Sequence, residues 1–184
     1  ARRQRQMCIR DRFIYHAGTK LFKNELRSIG GRVLNITSIG SDFLKIRNEL
    51  IKEDPSLDYD LGLLRKKMIS YHTHKYFVNQ QDLDEFLEEA YMFFLEERHK
   101  VNFFDDVIPV LEKLSSKYKL GVLTNGNADI KKLGIDHLFD FSVSSMDVKS
   151  NKPDQGHFVK AQELSQINFK NTLHVGDHPM NDIW

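Results

Sequence analysis

The spacing of apolar residues changes near residue 100, and this change constrains the fold more than any other feature of the sequence. Before it, apolar residues recur every three or four positions, which places them on one face of an amphipathic helix. After it, short apolar runs that end in turn residues alternate with helical segments. Such alternation is typical of a parallel sheet covered by helices on both faces. The sequence therefore predicts an all-helical region followed by an α/β region.

Four amphipathic helices are predicted between residues 13 and 100. Their apolar faces carry, in chain order, Ile14, Ala17 and Leu21; Phe43, Ile46 and Leu50; Leu61, Leu64, Met68 and Tyr71; and Leu83, Phe86, Leu87, Ala90 and Phe94. Because the connections between them are short, we expect these helices to form a small bundle, the domain 13–100.

Three strands are predicted after residue 100, in the segments "KLGVLTNGN", "FSVSS" and "NTLHVGD". A helical stretch that reaches about Leu138 is expected between the first two strands, and a helix with Phe158, Ala161 and Leu164 between the last two. The region 101–184 is thus predicted to be the sheet domain of an α/β protein.

The first twelve residues, "ARRQRQMCIRDR", fit neither region. They hold five arginines, one aspartate and the only cysteine, Cys8, and they resemble a translated sequencing adapter. A basic disordered arm or a transit peptide is the alternative. The chain has 27 basic and 26 acidic residues, but residues 13–184 have 22 and 25, so the basic balance is an end effect. It does not indicate a nucleic-acid partner.

The rest of the sequence indicates a cytoplasmic protein. Residues 13–184 contain no cysteine, which fits a reducing compartment. No apolar run approaches the roughly 18 residues that a membrane span needs, so no membrane association is expected.

Distinctive polar residues follow the predicted strands, where the ligand crevice of an open parallel sheet lies. They are Thr124, Asn125 and Gly126 after the first strand, Lys152 in "SNKPD", and Asp177 and Asp182 in "HVGDHPMND". A hydroxyl, free backbone amides and an ammonium group suit a bound phosphate, and carboxylates suit Mg2+. Each motif alone is weak, since a threonine after a strand is usually a turn residue. Their order and placement carry the prediction.

These motifs resemble those of the haloacid dehalogenase-like (HAD) hydrolases. "GVLTNGN" is similar to the second motif of that family, "SNKPD" to the third and "HVGDHPMND" to the fourth, and the resemblance covers residues 13–184. The branch with a helical cap, which includes bacterial FMN phosphatases, is the most similar. The resemblance implies a Rossmann-like parallel sheet core with an inserted helical-bundle cap.

The resemblance also implies roles for single residues. Thr124 would bind a phosphoryl oxygen, and Asn125 and Gly126 would line the same pocket. Lys152 would orient the nucleophile and balance charge, and Asp177 would bind Mg2+ with Asp182 beside it. The implied reaction is Mg2+-dependent hydrolysis of a small phosphorylated metabolite, such as FMN or a sugar or nucleotide phosphate, through an aspartyl-phosphate.

The first motif of the family, Asp-x-Asp-x-Thr on the central strand, has no match in this sequence. It is expected just before Phe13, and Asp11 has no second aspartate two residues later. We therefore interpret the chain as a fragment whose sheet lacks its central strand, and we predict that it has no phosphatase activity. A dehalogenase of the same fold and a non-catalytic binding domain remain alternatives. The dehalogenase is disfavoured because that branch needs no metal, whereas this sequence keeps both acids.

Overall fold

The computed structural model describes residues 39–182, and the side chains from residue 44 onward. Three parts of the sequence predictions lie outside the described residues: the arginine-rich residues 1–12, the first predicted helix with Ile14, Ala17 and Leu21, and the side chain of Phe43.

The described residues before residue 100 form helices and turns only. Helix α1 spans Ile39–Glu53, α2 spans Leu61–Thr73 and α3 spans Gln80–His99, with 3-10 turns at Pro55–Asp58 and His74–Tyr76. Helix α3 begins where the side chain of Asn79 accepts a hydrogen bond from the backbone N–H of Asp82 at 2.9 Å. This bond satisfies a donor that a helix leaves unpaired at its first turn. The second, third and fourth predicted helices are confirmed.

The predicted apolar face of α3 is buried along most of its length. Leu83, Phe86, Ala90 and Phe94 are each at most 7% exposed, and α2 contributes the buried Leu64 and Met68. Tyr71 departs from the prediction, because it lies on α2 but is 53% exposed. The aromatic and aliphatic stripe of α3 is therefore core.

The sheet lies after residue 100. Helix α4 spans Val107–Ser115, β1 Gly121–Thr124, β2 Phe141–Ser144, α5 Ser145–Val148, α6 Gly156–Ser165 and α7 Pro179–Asp182. Strands β1 and β2 pair in parallel, with Leu123 opposite Val143 and Thr124 opposite Ser144. The first two predicted strands and the α/β class with a parallel sheet are confirmed.

The third predicted strand is wrong for the described residues. Residues 172–176 of "NTLHVGD" are in no regular element, and the sheet that is described has two strands. Leu173 is 86% and Val175 82% exposed. The segment has the apolar composition of a strand, but a strand requires a hydrogen-bonded neighbour, and no described residue supplies one.

The helical stretch predicted up to Leu138 is also wrong. Residues 127–129 and 135 are irregular, residues 130–134 form a turn, and a 3-10 turn follows at Asp136–Leu138. Gly134 has a φ of +72°, a left-handed conformation that interrupts a right-handed helix. Ile135 and Leu138 are nevertheless buried, so the apolar positions are used by an irregular segment.

The chain divides into two compact units. Among the described residues, the helical unit comprises 39–55 and Gly62–Lys100, and the α/β unit comprises Ser56–Leu61 and 101–182. In the α/β unit Leu57 is fully buried, and Asn151 Nδ2 donates to both the carbonyl oxygen and the carboxylate of Asp58 at 2.9 Å. The limits 13–100 and 101–184 for cap and core stay a prediction. Within the described residues, no helix is both long and apolar enough to cross a membrane.

Candidate phosphate site

The end of β1 forms a tight polar turn. The backbone N–H of Gly126 donates to Thr124 Oγ1 at 2.9 Å. The threonine hydroxyl accepts this bond, so its own proton remains available for an outside acceptor. Gly126 is buried and its amide is engaged inside the turn. The hydroxyl, rather than this amide, is therefore the group at the turn that can donate to a phosphoryl oxygen.

Asn125 joins this turn to the loop that carries Lys152. Its Nδ2 donates to the carbonyl oxygen of Lys152 at 2.9 Å, and its Oδ1 accepts from the backbone N–H of Lys152 at 2.6 Å. The side-chain amide thus satisfies both backbone groups of one residue, as a neighbouring strand would. Asn125 was predicted to line the pocket, and in the structure it fixes the backbone of Lys152.

Lys152 is buried, with 8% of its surface exposed. Its Nζ donates to Asp182 Oδ1 at 2.6 Å, and the side chain of Asp182 is only 7% exposed. A buried ammonium group is stable when a carboxylate offsets its charge, and this pair meets that requirement. The nearby Lys149, which lacks the following proline, is exposed.

Asp182 accepts two further hydrogen bonds at the same place. His174 Nε2 donates to Oδ1 and the backbone N–H of His178 donates to Oδ2, both at 3.1 Å. Burial alone would raise the pKa of Asp182, but the hydrogen bonds from Lys152, His174 and His178, with the charge of Lys152, lower it to about 2. Asp182 is therefore a carboxylate throughout the physiological range.

Asp177 is the predicted site residue that the structure does not draw into this network. It is exposed and forms no hydrogen bond or ion pair with the part of the chain that the structure describes. Gly176, just before it, lies against Asp182, where a Cβ would collide with the carboxyl group. Five of the six predicted residues thus belong to this cluster, and the sixth, Asp177, is exposed to solvent.

Two histidines of the cluster were not predicted. His157 is fully buried and its Nε2 lies 3.1 Å from the Thr124 carbonyl oxygen. His174 contacts Asp182, and its ring meets Phe158 edge-to-face at 5.3 Å. His174 had a signal, because it stands in the same segment as Asp177. His157 had none, since a hydrogen bond to a backbone carbonyl leaves no pattern in the sequence.

The carboxylates fit a magnesium ion only in part. Between residues 39 and 182, no three acidic, histidine or cysteine side chains are grouped as metal ligands would be. Mg2+ commonly binds one or two carboxylates and keeps several waters, so Asp177 and Asp182 together meet the minimum donor set. Asp177 offers an unengaged carboxylate, whereas Asp182 would have to share its oxygens with Lys152 and His174.

Comparison with known proteins supports one family. The model of the haloacid dehalogenase-like hydrolases matches residues 43–184. The crystal structure of a 2-haloacid dehalogenase from Pseudomonas syringae pv. tomato DC3000 superposes with a TM-score of 0.81 at 30% identity. That alignment covers 92% of this chain and 71% of the other.

Curated relatives include a phosphatase. The chain is 21% identical over 169 residues to the 5-amino-6-(5-phospho-D-ribitylamino)uracil phosphatase YigB of Escherichia coli, covering 92% of this chain and 64% of that protein. It is 36% identical over 73 residues to the rhythmically expressed gene 2 protein of Drosophila melanogaster, covering 36% of this chain and 28% of that protein. The chain therefore spans less than two thirds of the length of either relative.

Proposed function

Because this chain belongs to the haloacid dehalogenase-like hydrolase family, we propose that it forms the phosphate-binding part of a Mg2+-dependent phosphatase. The substrate is a small phosphomonoester, such as FMN or a related sugar or nucleotide phosphate. The reaction passes through an aspartyl-phosphate, whose nucleophilic aspartate we place outside the described residues. The similarity to a phosphatase that acts on a phosphorylated ribitylamino compound supports this substrate class.

The observation that carries the proposal is the clustering of Thr124, Lys152 and Asp182 within the α/β unit. Asn125 ties the Thr124 turn to the backbone of Lys152, and Lys152 pairs with Asp182. The buried ammonium and the hydroxyl, carried by two segments that Asn125 joins, offer charge and hydrogen bonding to a phosphoryl group. Thr124 Oγ1 is held by the Gly126 amide and the backbone of Lys152 by Asn125, so both residues are positioned before the phosphoryl group arrives.

The magnesium ion would be held by Asp177 and Asp182. When bound, it would neutralise charge on the phosphoryl oxygens. Asp177 is exposed and could accept the ion directly, and Asp182 would share its oxygens between the ion and Lys152. The Lys152 ammonium would balance the charge of the substrate.

A dehalogenase is the second candidate, and the structural similarity to a 2-haloacid dehalogenase favours it. That chemistry displaces a halide from carbon and has no use for two metal-binding acids. A binding assay separates the two candidates. Mg2+ that increases the affinity for a phosphate analogue supports the phosphatase, and binding of 2-chloropropionate without any effect of Mg2+ supports the dehalogenase.

The site is tested on residues 1–184 by calorimetric titration with inorganic phosphate or tungstate. We expect weak binding that Lys152→Gln abolishes, because the substitution removes the buried positive charge. Lys149→Gln is the matched control, since Lys149 is an exposed lysine in the same segment. Equal losses in the two variants would show that general surface charge, and not this site, binds the anion.

The activity of the chain as it stands is tested with p-nitrophenyl phosphate and FMN in the presence of Mg2+. We expect no turnover, since residues 1–184 contain no match to the Asp-x-Asp-x-Thr motif that supplies the nucleophile. Turnover that disappears in Asp177→Asn would contradict this expectation and would require a nucleophile within residues 1–184.

A further inference from the structure

The side chain of His157 is fully buried at the start of α6, and none of the roles above uses it. Its Nε2 lies 3.1 Å from the carbonyl oxygen of Thr124. Because a carbonyl oxygen can only accept, Nε2 carries the proton. Its Nδ1 is buried and has no hydrogen-bond partner among the described residues. The ring is therefore the neutral tautomer with its proton on Nε2.

His157 completes a pair of ties between two segments of the site. Asn125, the first residue after β1, is bonded to the backbone of Lys152. Thr124, the last residue of β1, is bonded to His157, five residues after Lys152. Two consecutive residues at the end of β1 are thus held by two points on the segment that leads from Lys152 into α6. Two ties resist a twist between the segments that one tie would allow.

We propose that His157 is a positioning residue, which fixes the Thr124 backbone and so aims the Thr124 hydroxyl into the phosphate site beside Lys152. This inference rests on the proposed function and adds a residue to it. His157 touches no substrate group and acts through Thr124 alone.

The Nε2–H donor is present in both protonation states, and the surroundings of Nδ1 favour the neutral ring. Burial lowers the pKa of His157, and the Lys152 ammonium lowers it further, against the Thr124 hydrogen bond and the carboxylates of Asp147 and Asp154, which raise it. Protonation would place a second N–H on the buried Nδ1 without an acceptor, and a positive charge near Lys152. We therefore expect acid to loosen the Thr124 turn.

The first test measures the tautomer of His157 in residues 1–184 by long-range nitrogen NMR. A proton on Nε2 at pH 7 supports the proposal, and a proton on Nδ1 overturns it. This measurement needs no variant and no ligand. It therefore tests the role of His157 even if inorganic anions fail to bind. Failure of anion binding would count against the proposed function alone.

The second test follows hydrogen exchange of the Gly126 amide, which reports the turn closed on Thr124 Oγ1. His157→Leu removes the donor, and we expect exchange to rise about tenfold, as for the loss of one hydrogen bond. In His157→Gln the side-chain amide can still reach the carbonyl, so exchange should stay within about twofold of the wild type.

The pH profile separates positioning from general stability. Wild-type exchange at Gly126, corrected for the intrinsic effect of pH, should accelerate as His157 protonates, whereas His157→Gln should show no such step. Sulfate, which does not titrate in this range, should lose affinity in parallel for the wild type only. Equal acid steps in both proteins, or Gly126 exchange in His157→Leu that matches His157→Gln, would overturn the proposal.

Discussion

Strand β1 and the segment 172–176 are both short segments with two large apolar residues, but their structures differ. "GVLT" pairs in register with β2, whereas the apolar residues of "TLHVG" are more than four-fifths exposed at Leu173 and Val175. Both precede polar residues of the site. The difference lies in the neighbour, because β1 has one and the other segment has none among the described residues. A short apolar pattern indicates that a segment can form a strand. The strand forms only when a second strand supplies the hydrogen bonds.

The largest expected effect comes from introducing a charge into the sheet and, for comparison, into the unpaired segment. Val143, opposite Leu123 in the sheet, is 1% exposed, so Val143→Asp should cost at least about 3 kcal/mol of unfolding free energy. Val175→Asp should stay within about 0.5 kcal/mol of the wild type, because its side chain is already in water. Urea denaturation of residues 1–184, followed by circular dichroism, measures both. A large loss in Val175→Asp would mean that the segment is covered in solution.

The second prediction asks whether polar contacts hold the unpaired segment. His174 of this segment and Lys152 both contact Asp182, whose pKa falls from 3.8 to about 2. A lowered carboxyl pKa stabilises the folded state at pH values above the ordinary pKa, and that stability is lost as pH falls from about 4 to 2. The contribution is about 2 kcal/mol.

The variant Lys152→Met provides the comparison for this pH effect. Without the ammonium, burial of Asp182 is less offset and its pKa moves upward. The deficit of the variant at pH 7 should therefore narrow at pH 3, where its carboxyl group is protonated while that of the wild type, with a pKa of about 2, is still largely ionised. Parallel stability curves for the two proteins between pH 7 and 3 would show that the ion pair does not stabilise the folded chain.

The smallest expected effect concerns the two acids that follow the unpaired segment. Asp177→Asn should weaken Mg2+ binding by about tenfold and leave stability unchanged, since Asp177 is exposed and forms no described contact. Asp182→Asn should weaken both, because its carboxylate also pairs with the buried Lys152. Titration with Mg2+ and thermal melting test the two variants. Unchanged Mg2+ affinity in Asp177→Asn would remove that residue from the proposed metal site.

The elements that the sequence predicted well are those whose signal is local. Helix α3 has an unbroken apolar face and a capping residue, and β1 is a short apolar run closed by Asn125 and Gly126. Lys152 was predicted from the motif "SNKPD", and the structure buries this lysine. In each case the residues that carry the pattern also make the contacts.

What the sequence could not predict depends on distant neighbours. The segment 172–176 has no strand partner among residues 39–182, and no local pattern indicates whether a segment has one. His157 is bonded to Thr124, 33 residues away, through a backbone carbonyl that every residue possesses. The pairing of Asp182 with Lys152 joins residues 30 positions apart, and neither motif alone indicates the other partner.

The contact between Asp58 and Asn151 has a consequence for how the protein can be made and rearranged. It closes a loop between residues 93 apart in the chain, a step with an entropic cost that local contacts do not have. Contacts of such sequence separation slow folding, so we expect the α/β unit to be completed late. Replacing residues 13–100 with the corresponding segment of a related protein would remove Leu57 and Asp58 from the α/β unit, to which they belong. A viable exchange has to leave Ser56–Leu61 behind.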